Sequence, residues 1–492
     1  MKRDKRIISF SLTLALFLAF LAPAVRAADD RSAAIDAFVR AYQERQTFNG
    51  SVLVADKGRV VFKKGFGLAN REWGVPNTPA TKFRIGSVTK QFTSMLILQL
   101  VQEKKVDLQA KLGAYLPFYR KDVGDRVTIH HLLTHSSGIP SYTDNRAAMT
   151  EVVRDPFPPA EFVAKYCSGD LQFEPGSRFR YNNSGYFILG AVIEAVTGKP
   201  YETVLHERIL DPLGMKYSGY DRPVPVIPDR ASGYSVTFDG FENAPYLNMS
   251  LPYAAGALYS TVEDLFLWDR ALAGDKLLSP ELKALLFQPE IAMGPGMSYA
   301  YGWMVRQSQV QGAPAKTVGL FHGGAIFGFS AFIERRPDEG RLVVALSNTP
   351  EADLGSLASG IFGILDGRAP ELPKKSLTRE TYAALLSRGP ADAVRQYRAL
   401  KASKPDEYEA GPGDLNELGY YLLNTKKMTA AAIEIFKLNV EEFPRYANGY
   451  DSLAEAYLAA GDKEKAAANY AKVLELDPKN ENAKAKIEEL KK

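Results

Sequence analysis

The chain of 492 residues carries one cysteine, Cys167, three tryptophans and five histidines. A single cysteine excludes an internal disulfide framework. Its polar surroundings, "KYCSGD", hold no partner that would activate a catalytic thiol. So few histidines leave little from which to build a metal centre. His131 and His135 are four apart and share a helix face, yet no third ligand clusters with them and no glutamate stands at the H-E-x-x-H position. No metal and no organic cofactor are expected. The sequence also lacks G-x-S-x-G, which removes the strand–turn–helix nucleophile of the α/β-hydrolases. Beyond Leu21 no apolar run approaches the length that spans a bilayer, so no membrane span is expected after that point.

What is present begins with a secretory pattern. Basic "MKRDKR" precedes an apolar run from Ile7 to Leu21, and "APAVRA" then places small residues at Val25 and Ala27. Residues 1–27 read as a signal peptide, and the expected location is secreted and periplasmic. Five basic residues and Asp4 leave with that segment, so the formal charge of +4 falls to zero. No basic block remains to recruit nucleic acid.

After a probable-helix pattern in "RSAAIDAFVRAYQER", the stretch "GSVLVADKGRVVFKKGFG" reads as two strands joined by an Asp-Lys-Gly turn. Helical patterns dominate from Ser87 to about Leu272. Strand patterns return in "AYGWMVRQ", "KTVGLFHGG", "FGFSAFIERR" and "GRLVVALSN". Strands from distant parts of the chain with helices between them predict one antiparallel sheet with an inserted helical lobe, and a cleft where lobe meets sheet. "GRAPELPKKS" reads as a linker. From Leu377 to Lys492 no convincing strand is present. Two segments there repeat at an offset of about 34 residues. In the second, Tyr450, Leu453, Ala454, Tyr457, Gly461, Ala466, Tyr470 and Pro478 fall at the spacing of a tetratricopeptide helix pair. Two or three such pairs are few for an independent solenoid, so this region is expected to pack on the catalytic region or on a second copy, or to bind a partner protein.

The chemistry concentrates in "FRIGSVTKQFTSMLILQLV", residues 83–101. From Phe92 the segment is apolar on nearly every side, the pattern of a helix buried all round. With Ser87 placed as the N-cap, Ser87 and Lys90 are neighbours on one face. A lysine taken out of water loses stability in its charged form and becomes a proton acceptor near neutral pH. A serine hydroxyl, a weak nucleophile unaided, requires that beside it.

Further along, "FRYNNSGYFILGAVIEAVTGKPY" supplies Tyr181 and Asn183, and "GLFHGGAIFGFS" supplies His322. The order S-x-x-K, Y-x-N, H-x-G, together with "VTIHHLLTHSSGIPSY", "LDPLGMKYSGY" and "GALYSTVEDLFLWDRAL", resembles the serine β-lactamase and penicillin-binding-protein superfamily. The likeness falls in the branch with class C β-lactamases, D-Ala-D-Ala carboxypeptidases, D-aminopeptidases and esterases, and it covers roughly residues 31 to 350. It implies Ser87 as nucleophile, Lys90 as the group that either takes the serine proton or keeps its neighbour ionised, and Tyr181 as a relay whose phenol a cationic Lys90 would acidify. It also implies Asn183, which can hold Lys90 as well as meet a substrate amide, and His322 as substrate-binding residues, and an oxyanion hole from the backbone N–H groups of Ser87 and Ala325. Gly323 and Gly324 are expected to let a substrate backbone approach the strand edge. His322 stands where β-lactamases place a lysine, which favours peptide or ester substrates over β-lactams. No S-D-N is present, so the class A deacylating arrangement is not expected.

The resulting expectation is an α+β fold of β-lactamase/transpeptidase type, an antiparallel sheet flanked by helices with an inserted helical lobe, followed by an all-α tetratricopeptide-like region. The segments are a signal peptide (1–27), a hydrolase domain (28–365), a linker (366–376) and helical repeats (377–492). The expected activity is hydrolysis, through an acyl-enzyme, of D-amino-acid-containing peptides or small esters and amides. A β-lactamase or penicillin-binding protein is the alternative within that chemistry, and a non-catalytic peptide-binding protein the alternative outside it. The surroundings of Tyr142, Tyr234 and Tyr253 are expected to set substrate choice.

Overall fold

The computed structural model describes residues 30–150, 152–308, 315–350 and 352–491, so the signal-peptide reading falls outside the described residues. Strand β1 (Gly50–Asp56) is buried at every position, the behaviour of a strand covered on both faces. Its hairpin partner β2 (Arg59–Phe66) alternates exposed and buried positions, as an edge strand does. Six further strands complete an antiparallel sheet: β3 (Ile291–Gly294), β4 (Met297–Tyr299), β5 (Met304–Gln307), β6 (Thr317–Ile326), β7 (Phe329–Arg336) and β8 (Arg341–Ser347). Their spatial order is β3-β4-β5-β6-β7-β8-β1-β2. The register pairs Gly50 with Ser347 and Leu53 with Val344, so segments almost three hundred residues apart are neighbouring strands of the sheet.

The two faces follow the period of two. Val52, Val54, Val343 and Ala345 pack with Ile35, Phe38 and Val39 of α1 (residues 30–44) and with Ile361 and Phe362 of a helix at Leu354–Leu365. Their neighbours Leu53, Ala55, Val344 and Leu346 face the other way, into the larger core shared with α2 (Thr89–Gln102). In α2 every residue from Thr89 to Leu100 is buried. Two of its polar atoms find partners inside the fold: Thr93 Oγ1 donates to Ala254 O at 2.7 Å, and Gln91 Oε1 accepts from Trp268 Nε1 at 3.0 Å. The segment between β2 and β3 forms the helical lobe, built around the apolar helix α3 (Asn183–Thr197), which Asn182 caps by accepting from the Gly185 amide at 2.8 Å.

The chain divides into two compact units: residues 1–236 with 241–371, and residues 372–492 with the short segment Thr237–Gly240. The second unit is helical, with α4 (Leu377–Arg388), α5 (Pro390–Ser403), α6 (Pro412–Tyr420), α7 (Thr429–Glu442), α8 (Ala447–Ala459), α9 (Lys463–Leu476) and α10 (Glu481–Leu490). Contrary to the sequence reading, it also contains a strand: Tyr408–Glu409 pairs in parallel with Lys375–Ser376. Among the described residues no helix is long and apolar enough to cross a membrane.

Candidate active site

The site is assembled where the turn before α2 meets the end of β6. Phe83–Arg84 pairs with Leu258–Ser260, and the Ile85 amide continues that pairing by donating to Leu258 O at 2.9 Å. Gly86 then turns the chain at φ +49°, a conformation costly for any residue with a Cβ. Ser87 follows in a 3-10 turn, Gly86–Val88, and α2 starts at Thr89. Ser87 is therefore not the helix N-cap expected from sequence; Val88 holds that position without a side-chain cap. The serine hydroxyl is taken by Lys90 instead, whose Nζ lies 3.0 Å from Ser87 Oγ.

Lys90 is fully buried, and desolvation holds its ammonium pKa well below the ordinary value. Nζ donates to Asn183 Oδ1 and to Ala255 O, both at 2.8 Å, so together with Ser87 Oγ it meets three oxygens. Asn183 is held in turn, its Nδ2 donating to Thr143 Oγ1 at 3.2 Å. The amide expected to bind substrate is thus committed to the protein on both its atoms.

Tyr181 lies beside this group, with Lys90 Nζ 4.9 Å from its ring centroid. Burial pushes its phenol well above the ordinary value, with the Ser87 hydroxyl opposing the shift. The acidified phenol expected from a cationic Lys90 is not what the environment favours, because the same desolvation that deprotonates the amine disfavours the phenolate.

Ser87 and Ala325 approach closely through two glycines. A Cβ on Gly86 would sit 2.9 Å from Ala325 N, and one on Gly324 would sit 3.0 Å from Ser87 N and 2.0 Å from Ile85 O. Gly324 therefore makes room for the protein's own backbone rather than for a substrate's, a correction to the expected role. Gly323 meets nothing nearer than the Phe332 ring at 3.8 Å.

His322 departs furthest from expectation. It is 1% exposed, and both ring nitrogens have protein partners: Nδ1 donates to Gly323 O at 2.6 Å, and Nε2 accepts from Tyr299 Oη at 3.0 Å. Burial lowers its pKa to about 3. The imidazole is a neutral, saturated part of the floor and does not reach the substrate space.

A cleft of about 510 Å³ opens at Ser87, bordered by Asn183, Thr143 and Ala325 and by apolar side chains such as Leu247, Leu251, Ile326 and Phe327. Of the three tyrosines expected to shape it, only Tyr142 lines it. Tyr234 is turned to Glu72 and the Arg71 amide, and Tyr253 lines a different pocket with Tyr201 and Tyr220.

Three participants escaped the sequence reading: Thr143, which orients Asn183; Ala255, whose carbonyl holds Lys90; and His135. The last is buried at φ +57°, accepts from the Asn182 amide at Nδ1 (3.1 Å), and stacks 4.3 Å from Tyr181. Only its place in "HSSGIPSY" hinted at a role. His131 instead closes a capping box with Thr128, and among the described residues no group of three metal-ligating side chains occurs. Cys167 is buried, which raises its thiol to about 12.

The family model described as Beta-lactamase matches residues 35–362. Esterase EstB of Burkholderia gladioli is 28% identical over 363 residues, covering 65% of this chain and 90% of the esterase. The teichoic acid D-alanine hydrolase of Staphylococcus aureus is 28% identical over 247 residues, covering 49% of this chain and 58% of the hydrolase. The octameric penicillin-binding protein homologue from Pyrococcus abyssi superposes with a TM-score of 0.58 at 30% identity, over 72% of this chain and 81% of that structure.

Proposed function

Since the chain belongs to the beta-lactamase family, we propose that it is an exported serine hydrolase that works through an acyl-enzyme on D-amino-acid-containing peptides or on small esters and amides. The observation that carries this reading is the placement of Lys90: a fully buried amine, its ammonium form disfavoured by desolvation, with Nζ 3.0 Å from the Ser87 hydroxyl. Pure binding has no use for that arrangement.

Ser87 Oγ attacks the substrate carbonyl carbon while its proton passes to Lys90 Nζ. The tetrahedral oxyanion is held by the backbone N–H groups of Ser87 and Ala325, which the two glycines bring together. On collapse, the bond to the leaving group breaks. Tyr181, kept a phenol by burial, gives its proton to the departing oxygen or nitrogen and regains one from the Lys90 ammonium. Water then attacks the acyl-serine, Lys90 takes a water proton and returns it to Ser87 Oγ, and the acid is released. Asn183, held by Thr143, fixes the amine's orientation throughout. The helical unit, whose sequence pattern is tetratricopeptide-like, supplies a surface for a partner protein or for a second copy.

The test is intact-mass spectrometry of the mature protein after exposure to p-nitrophenyl acetate and, separately, to a fluorescent penicillin, beside the Ser87→Ala variant. A mass increment or turnover that depends on Ser87 is expected. A persistent penicillin adduct would mark a trapping penicillin-binding protein, its rapid loss a lactamase. Folded protein without adduct or turnover would leave a binding role in its place.

A further inference from the structure

The three relatives carry names that span esters, D-alanine and penicillin, so likeness alone does not choose among substrates. The charges around the cleft do. Among the described residues that line it, none is Lys, Arg, His, Asp or Glu; the polar ones are Ser87, Thr143, Asn183 and Ser235, and the remainder are apolar, tyrosine or glycine. The two basic groups nearest in sequence role are closed off. Lys90 Nζ is engaged by Asn183, Ala255 and Ser87, and both nitrogens of His322 by Gly323 and Tyr299. Arg84 and Arg230 border the adjoining pocket, which shares Leu247 and Phe327 with the cleft. Both bind the one buried carboxylate of Asp221, at 2.7 and 2.5 Å. Among the described lining residues, a substrate carboxylate would be desolvated with no cation to receive it, and a substrate ammonium would find no carboxylate. An apolar chain would bury against Leu247, Leu251, Ile326 and Phe327 at a gain.

Resting on the serine-hydrolase reading above, we propose that the cleft selects neutral carboxylic esters with an apolar acyl chain, and discriminates against substrates that carry a carboxylate or ammonium on the portion seated in the cleft. Ester and water yield the carboxylic acid and the alcohol by the acyl-serine route already described. The acid product, ionised on release, is the one species the cleft does not hold, which favours its departure.

The experiment measures kcat/KM of the full chain on p-nitrophenyl acetate, butyrate and hexanoate, and on the p-nitrophenyl monoester of adipic acid, which has the hexanoyl length but ends in a carboxylate. D-Ala-D-Ala peptide and benzylpenicillin are measured beside them. Each methylene up to hexanoate is expected to raise kcat/KM roughly three- to fourfold. The adipate monoester should fall at least about tenfold below hexanoate. Ser235→Lys, which places a cation on the cleft wall outside the Ser87 machinery, should narrow that ratio. Equal or faster turnover of the adipate ester, the dipeptide or the penicillin would overturn the proposal while Ser87-dependent turnover upheld the hydrolase reading. Absence of turnover with every substrate would overturn both.

Discussion

Lys90 and His322 are both buried bases, at 0% and 1% exposure, and in both burial drives the pKa far down. They differ in their partners. The neutral imidazole has one donor and one acceptor, and Gly323 O and Tyr299 Oη take both. Lys90 Nζ meets Asn183 Oδ1, Ala255 O and the hydroxyl of Ser87, a residue that lines the cleft. A perturbed pKa therefore does not separate catalysis from architecture here; what the base touches does.

The sharpest way to break the comparison is Lys90→Met, which keeps the length and removes the lone pair. Turnover of p-nitrophenyl acetate should fall by roughly 10³-fold or more, the upper range for loss of a positioned base. The variant should stay folded, since a buried apolar chain replaces a costly buried amine. Two acceptors, Asn183 Oδ1 and Ala255 O, lose their donor, so a melting shift of a few degrees in either direction is compatible. Wild-type kcat in a folded Lys90→Met protein would remove the base from the mechanism.

That contrast was only half legible in the sequence. The sheet was readable because stretches such as "GSVLVAD" and "GRLVVALSN" are β-rich runs bounded by turn residues. The neighbourhood of Ser87 and Lys90 was readable because three residues of helical spacing fix it locally. The fate of His322 was not. Whether a histidine at a strand end points to solvent or to the floor depends on Tyr299, a strand partner two positions away in the sheet and 23 residues back in sequence. Gly324 was misread for a related reason: the backbone that comes close to it belongs to Ile85 and Ser87, far away in the chain. The helix start was misplaced because the serine that suits an N-cap by type was already bound to Lys90.

The architectural side of the comparison is tested by Tyr299→Phe, which removes the hydroxyl that meets His322 Nε2. A buried acceptor left unpaired costs about 1–3 kcal/mol, so the melting temperature should drop while kcat/KM on the acetate ester stays within about threefold. A large loss of turnover with little loss of stability would move His322 from the floor into the chemistry.

The smallest effect sharpens the same contrast through pH. A base whose native pKa is depressed is neutral in the fold while the unfolded chain still binds a proton, so stability falls as pH drops below the unfolded value. For His322 the window runs from the unfolded value near 6.5 down to about 3. Within it the slope approaches about 1.4 kcal/mol per pH unit for that one proton. His135, depressed chiefly by burial, adds to the same limb. His322→Gln keeps a donor and an acceptor but cannot titrate, so denaturant unfolding between pH 6.5 and 4 should show a limb shallower by one proton. Lys90 obeys the same sign in a higher window: stability should rise with pH from its lowered native pKa towards the unfolded value near 10.5, and Lys90→Met should flatten that rise. An acid limb unchanged in His322→Gln would mean that the imidazole is protonated in the fold, and its saturation by Gly323 and Tyr299 would then have to be read as a cation's hydrogen bonding rather than a neutral ring's.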